Sequence, residues 1–251
     1  MELSIWTFII VCPMVFLASF VDAVAGGGGL ISLPAYLLAG VPPKLAIGTN
    51  KLSSATGTVF STARYCKNGC FDLKLALPSI VVALIGSYIG AKIVLVTSDE
   101  ILKYVLIIVL PVTAFFVLKK KNFDQVKNKP KRKTQFIIAV LASFIIGMYD
   151  GFYGPGTGTF LILIYTGLVK LDLLTASGNT KLVNLSSNIA ALVTFIFSGN
   201  IVYALGFAAS VFSIAGHYLG AGMVMKSGTK IVKPIIILVI LLLLIKICLG
   251  I

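Results

Sequence analysis

The chain has 251 residues, 58% of them hydrophobic and only 12% charged, with a mean hydropathy of +1.05. That composition excludes a soluble domain with a solvated surface, and the absence of period-2 alternation excludes a membrane barrel, which leaves an all-α polytopic membrane protein. The net charge of +13 is of the kind that cytoplasmic loops accumulate beside a bilayer, so it does not call for a nucleic-acid partner.

The N-terminal stretch MELSIWTFIIVCPMVFLASF lacks the basic start and small-residue cleavage site of a signal peptide and is expected to be the first mature segment. Apolar segments then run at 4–23, 29–40, 44–64, 73–96 and 101–118. The stretch KKKNFDQVKNKPKRK at 119–133 sets eight Lys and Arg residues against Asp124, a net +7 and more than half the charge of the chain. Its plain role is topogenic, and binding to anionic lipid headgroups is the alternative. Five more segments follow at 135–149, 156–168, 175–198, 203–225 and 231–250. The expected organisation is a first transmembrane repeat at 1–118, a basic cytoplasmic linker at 119–134 and a second repeat at 135–251, with eight to ten transmembrane helices in all.

The two halves match at an offset of 128 to 130 residues. FVDAVAGGGG at 20–29 falls on MYDGFYGPGT at 148–157, so Asp22 pairs with Asp150, Gly26 with Gly154 and Gly28 with Gly156. GTNKL at 48–52 falls on GNTKL at 178–182, so Lys51 pairs with Lys181; GSYIGA at 86–91 falls on GHYLGA at 216–221. Five segments per half is an odd number, so the second copy is expected upside down. Loop charges agree: the loop with Arg64, Lys67 and Lys74 has an uncharged counterpart, SGNIVY at 198–203. With the linker inside, both termini are expected outside. The second segment of each half is short, and the first two form either a re-entrant hairpin or two spans.

Unwound backbone inside a membrane must be buried in protein or line a watery cavity. Gly26, Gly27, Gly28 and Gly29, and Gly154 and Gly156 around Pro155, are such breaks at equivalent places. Paired Gly/Pro interruptions in a repeated transporter point to its substrate site, and the helices that begin there would aim free N–H groups at an anion. Lys51 and Lys181, beside Thr49, Asn50, Asn179 and Thr180, are charges that a membrane tolerates only next to a partner or a cavity. Two compatible readings stand: these groups surround a bound anion, or Asp22 with Lys51 and Asp150 with Lys181 form structural ion pairs, the acids also being candidates for proton coupling or for capping a broken helix. His217 is the only histidine, readable as a proton relay or as a packed, hydrogen-bonded side chain. Gly86, Gly90, Gly216 and Gly220 form two GxxxG patterns suited to close helix packing. Ser53, Ser54 and Thr58, with Asn184, Ser186, Ser187 and Asn188, continue the faces beyond the lysines, lining a path or bonding between helices. Cys66 and Cys70 in CKNGC do not have metal-site spacing, and no P-loop, dinucleotide fingerprint or nucleophile triad is present, so neither a metal, a cofactor nor an enzyme activity is expected.

DAVAGGGGLISLPAYLLAGVPPKLAIGTNKLSS at 22–54, with its weaker echo at 150–187, resembles the TauE/SafE family, the sulfite-exporter or sulfonate-permease group, and the hydrophobic layout extends the resemblance over essentially the whole chain. The resemblance implies a multi-pass plasma-membrane protein that moves sulfite, sulfonates or related small anions, often outward. The second copy departs from the pattern at Pro155 and Thr157, where the first has Gly27 and Gly29. Beside alternating access by a carrier, a passive anion channel and a non-transporting scaffold remain as alternatives; a homodimer is compatible with all three.

Overall fold

A computed structural model describes residues 4–102, 104 and 129–227. The segments expected at 101–118 and 231–250 and most of the basic linker lie outside the described residues. Among those residues the chain forms no strand, the start of a helix at 99–102, and eight helices described over their full length: α1 (Ile5–Ala25), α2 (Gly29–Leu38), α3 (Pro43–Lys67), α4 (Leu73–Val96), α5 (Arg132–Phe152), α6 (Thr157–Gly167), α7 (Leu173–Phe197) and α8 (Tyr203–Ser227). Five of them, α1, α4, α5, α7 and α8, are long and apolar enough to cross a membrane. The protein is a multi-pass membrane protein.

Helices α2 and α6 have 10 and 11 residues, a reach of about 15–17 Å and so about half a hydrocarbon core. Each turns back toward the end of the bundle where its predecessor began. Tyr36 and Val41, at the end of α2, cluster with Val11 and Val15 of α1; Gln135 Nε2, at the start of α5, donates to the Val169 carbonyl just after α6. The first two segments of each half therefore make a hairpin, and its tip is the glycine break.

Contact registers fix the helix directions. A Cβ added to Gly216 would lie 2.4 Å from the Phe16 carbonyl oxygen and one on Gly220 2.6 Å from that of Phe20, so α8 runs parallel to α1. The same spacing recurs where Gly86 meets Phe144 at 2.4 Å and Gly90 meets Met148 at 2.0 Å, so α4 runs parallel to α5. Both GxxxG patterns are thus close-approach surfaces. Helix α3 is parallel to α8, with Gly57 against Ser213 and Arg64 donating to the Tyr218 carbonyl. It is antiparallel to α7, since Lys51 meets Asn188 while Thr62 meets the Lys181 carbonyl.

These directions gather the charges. Among the described residues, Arg64, Lys67, Lys74, Lys129, Lys131, Arg132, Lys133, Lys170 and Lys226 lie at one end of the bundle with only Asp72 and Asp172, both of which cap helices there; the opposite end has Lys44 and Lys92 with Asp99 and Glu100. Asp72 caps α4 by accepting from the Leu75 N–H at 3.3 Å and also accepts from Arg132 Nη2 at 2.7 Å, joining the starts of α4 and α5. That guanidinium bond holds the Asp72 carboxyl below the ordinary aspartate range against a smaller opposing effect of burial. A depressed carboxylate contributes stability that is fully present above its unfolded pKa and is lost as pH falls through the lower folded value. Asp72→Ala is expected to cost about 1 kcal/mol, mostly from the lost cap because Arg132 is half-exposed, and thermal melts of the variant and parent should converge in acid.

Candidate functional site

Gly26 takes a left-handed conformation at φ +78 and ends α1, its N–H bonding back to the Asp22 carbonyl at 2.9 Å. Gly156, at φ +83, precedes α6. The two breaks touch: Thr159 N–H donates to the Gly26 carbonyl at 3.2 Å and Thr159 Oγ1 to the Ala25 carbonyl at 2.8 Å. An added Cβ on Gly26 would lie 2.2 Å from the Gly158 carbonyl carbon, and one on Gly29 3.0 Å from Pro155 Cα. Backbone that could not sit against lipid is thereby satisfied by the equivalent backbone of the other half.

Beside this contact sit two ion pairs, and they are crossed between the halves. Lys51 Nζ is 2.9 Å from Asp150 Oδ2, and Lys181 Nζ is 2.6 Å from Asp22 Oδ2. The expected partners, Asp22 with Lys51 and Asp150 with Lys181, are corrected: α3 packs on α7, so each lysine crosses that interface to the hairpin of the other half. Both lysines are buried, with side chains 3% and 1% exposed, which is the pairing that a buried ammonium requires.

The surroundings of the two acids differ. Asp150 is held by neutral hydroxyls as well as Lys51, with Ser187 Oγ at 2.6 Å from Oδ2 and Thr157 Oγ1 at 3.0 Å from Oδ1. Asp22 accepts from Gly28 N–H at 3.3 Å through Oδ1, receives Lys181 on both its carbonyl and Oδ2, and has His217 Nε2 at 3.2 Å from Oδ2. The repeat counterpart of His217 is Ser87, whose hydroxyl donates to the Ser187 carbonyl. His217 is thus hydrogen-bonded and packed, and it also faces an acid.

A polar cavity opens between the pairs. Its walls include Asp22, Gly28, Gly29, Asn50, Lys51, Asp150 and Gly154 from the expected set, together with Ser54, Thr157, Asn184, Asn188 and His217. It encloses about 450 Å³ of atom-free space, open mouth included. From Asp22 it runs back along α1 past Ser19, Ala18 and Val15, toward the end of the bundle with few basic residues. Lys51 Nζ spends two of its three hydrogens on Asp150 and on Asn188 Oδ1 at 3.0 Å, leaving one donor. Asn50, 7% exposed, has no hydrogen-bond partner for Oδ1 among the described residues.

Other expected residues lie off this cavity. Thr49 Oγ1 accepts from the Val202 N–H at 3.0 Å, fixing the loop before α8. Asn179 Nδ2 donates to the Thr175 carbonyl at 2.9 Å, and Thr180 is buried, its hydroxyl without a partner among the described residues. Lys181 reaches the site only through Asp22, while Gly26, Gly27 and Gly156 shape the turns behind it. Asn184 and Asn188, bonded to each other at 3.0 Å, were legible from sequence only as a polar face four residues apart. Among the described residues no group of three His, Cys, Asp or Glu side chains is placed to hold a metal ion, and Cys70 Sγ lies 3.9 Å from Met225 Sδ.

The pattern described as Sulfite exporter TauE/SafE matches residues 11–247. The chain is 35% identical over 224 residues to the probable membrane transporter protein ORF9 of Sinorhizobium sp, covering 89% of this chain and 85% of that protein. It is 33% identical over 239 residues to a probable membrane transporter protein of Haemophilus influenzae, covering 95% and 93%, and 33% identical over 224 residues to the probable membrane transporter protein YfcA of Escherichia coli K12, covering 89% and 82%. No solved structure matches. A membrane bundle whose broken helices meet at a charged, polar cavity accords with such relatives, and a match over nearly the whole chain places this protein in the sulfite exporter TauE/SafE family.

Proposed function

We propose that this protein is a carrier of small anions, sulfite or a small sulfonate foremost, and that it works by alternating access from a site at Lys51. The observation that carries the reading is the cavity itself: Lys51 has a donor in hand, and Gly29 opens α2 with its positive end at the cavity wall. An anion seated there meets an ammonium and helix-end amides in a water-poor site, where each is worth more than in bulk water. The Asn50 amide N–H groups and the Gly29 N–H are the first contacts beside Lys51; Gly28 and Gly154 shape the wall, their own N–H groups given to Asp22 and to the Tyr149 carbonyl, and Lys181 acts by holding Asp22.

Support for two inverted halves comes from helix direction. Helices α1, α3 and α8 run one way and α4, α5 and α7 the other, so each helix opposes its repeat counterpart. The gathered Lys and Arg residues support a cytoplasmic location for that end, with the N-terminus outside. The cavity follows α1 toward the outer end, while Thr180, counterpart of Asn50, is fully buried. That asymmetry between equivalent positions favours a carrier caught with one side accessible over an open channel.

The test is flux from proteoliposomes preloaded with sulfite, thiosulfate or methanesulfonate under a clamped potential. Saturable efflux of one class is expected, and Lys51→Ala should lower it about ten- to hundredfold, the loss expected for a charged hydrogen bond. Full efflux from a folded Lys51→Ala protein would remove Lys51 from the site, and unsaturable conductive flux would replace the carrier by a channel.

A further inference from the structure

Among the described residues the buried charges at the centre balance: Lys51 and Lys181 stand against Asp22 and Asp150, and the remaining titratable group on the cavity wall is His217. With His217 neutral, the site has no net charge, and a bound monovalent anion leaves it one negative charge in excess. Uncompensated charge in such surroundings is costly. A proton on His217 removes the excess.

The hydrogen bonds around the imidazole suit both protonation states. Nδ1 lies 3.1 Å from the Ser213 carbonyl oxygen, which only accepts. Nε2 lies 3.2 Å from Asp22 Oδ2, which as a carboxylate only accepts, and 3.4 Å from Thr58 Oγ1, which also donates. The imidazolium donates to Ser213 and Asp22. The neutral ring keeps its Nδ1–H on Ser213 and accepts at Nε2 from Thr58, with the Nε2 lone pair then facing Asp22 Oδ2, which draws a proton back. Neither state strands a ring nitrogen, as a fixed structural histidine would not require.

The groups packed around the ring allow that change. Asp22 of α1 faces it directly, and Lys181 of α7 reaches it through the same carboxylate oxygen. From α3 comes Thr58, while Arg64 of that helix points farther along α8 to the Tyr218 carbonyl and Tyr65 donates to the Ala23 carbonyl. On α8 itself Ser213 Oγ sits 3.3 Å from Nδ1 and is bonded to Ser19. Lys51 and Asp150 close the far wall. The Asp22 side chain is 15% exposed, on the cavity, against 3% for Asp150.

We infer that His217 is the proton-coupling residue of this carrier: one proton, taken from cavity water onto Nε2 against Asp22, accompanies each monovalent anion seated at Lys51, and both leave together on the other side. This rests on the anion-carrier reading. It makes the cycle electroneutral, so the anion and pH gradients set direction, and an anion accumulated inside still leaves down its own gradient.

The test uses the full chain in proteoliposomes with a pH dye inside and methanesulfonate, which stays ionised across the working pH range, as the probe. An inward methanesulfonate gradient is expected to acidify the lumen with a proton-to-anion ratio near one, unaffected by a clamped potential; His217→Gln should drive that ratio toward zero. Thr58→Val removes the donor to the neutral ring, so the pH midpoint of coupled flux should rise by up to about one unit. Potential-driven flux without acidification, a ratio kept by folded His217→Gln, or an unmoved midpoint in Thr58→Val overturns the coupling and leaves the anion site standing. Absence of saturable flux for methanesulfonate and for sulfite overturns both.

Discussion

Asp150→Ala is expected to destabilise the protein by about 3–5 kcal/mol, because it leaves the Lys51 ammonium buried without its counter-charge. The measurement is unfolding in mixed detergent, followed by helix signal. Lys51→Met on its own should cost less, since Asp150 can take up a proton and keep Ser187 and Thr157 as partners. The double variant Lys51→Met with Asp150→Leu should recover most of the loss, as paired apolar replacements of buried ion pairs do. The cycle also reads the wiring: Lys51 and Asp150 should be strongly non-additive, while Lys51 and Asp22, which share no direct bond, should be closer to additive. Strong coupling of Lys51 to Asp22 instead would restore pairing within each half.

Gly26→Ala is the second large expectation. Its φ of +78 would strain any L side chain, and the new Cβ would lie 2.2 Å from the Gly158 carbonyl carbon and 2.4 Å from the Thr159 nitrogen, both backbone. Strain of about 1–2 kcal/mol adds to overpacking of about 1–3 kcal/mol. Gly40→Ala is the control, with a φ of +79 and no atom of the described residues within 4 Å of the added Cβ, so it should show the strain alone. Equal melting shifts for the two variants would mean that the two breaks do not touch in the membrane.

Much of this was legible in the sequence. Segment 73–96 is α4 to the residue, and the other described helices fall within a few residues of their expected bounds, because an apolar run between polar turns leaves little choice in a bilayer. The glycine breaks were legible for the converse reason, since a membrane admits no other use for four consecutive glycines. The crossed ion pairs were not. Repeat alignment shows which residues are equivalent, whereas contact depends on how the halves interlock, and the α3–α7 crossing is a tertiary fact. Helix α3 shows the same limit in its polar face: the segment was legible, but that Thr49, Ser53, Thr58 and Ser61 are fully buried in it is decided by the helices packed around it. His217 was legible only as two readings, a proton relay or a packed side chain, because its counterpart is Ser87 and the repeat does not decide between them.

The crossed pairs also bear on how the protein is made. While the first half is being inserted, Lys51 and Asp22 enter the bilayer before Asp150 and Lys181 have been synthesised, so the first hairpin has no lasting counter-charges until the second half arrives. Neither half is a module that can be complete alone. Two fragments divided in the basic linker should therefore be unstable when expressed separately and persist when expressed together, each supplying the other's missing ion.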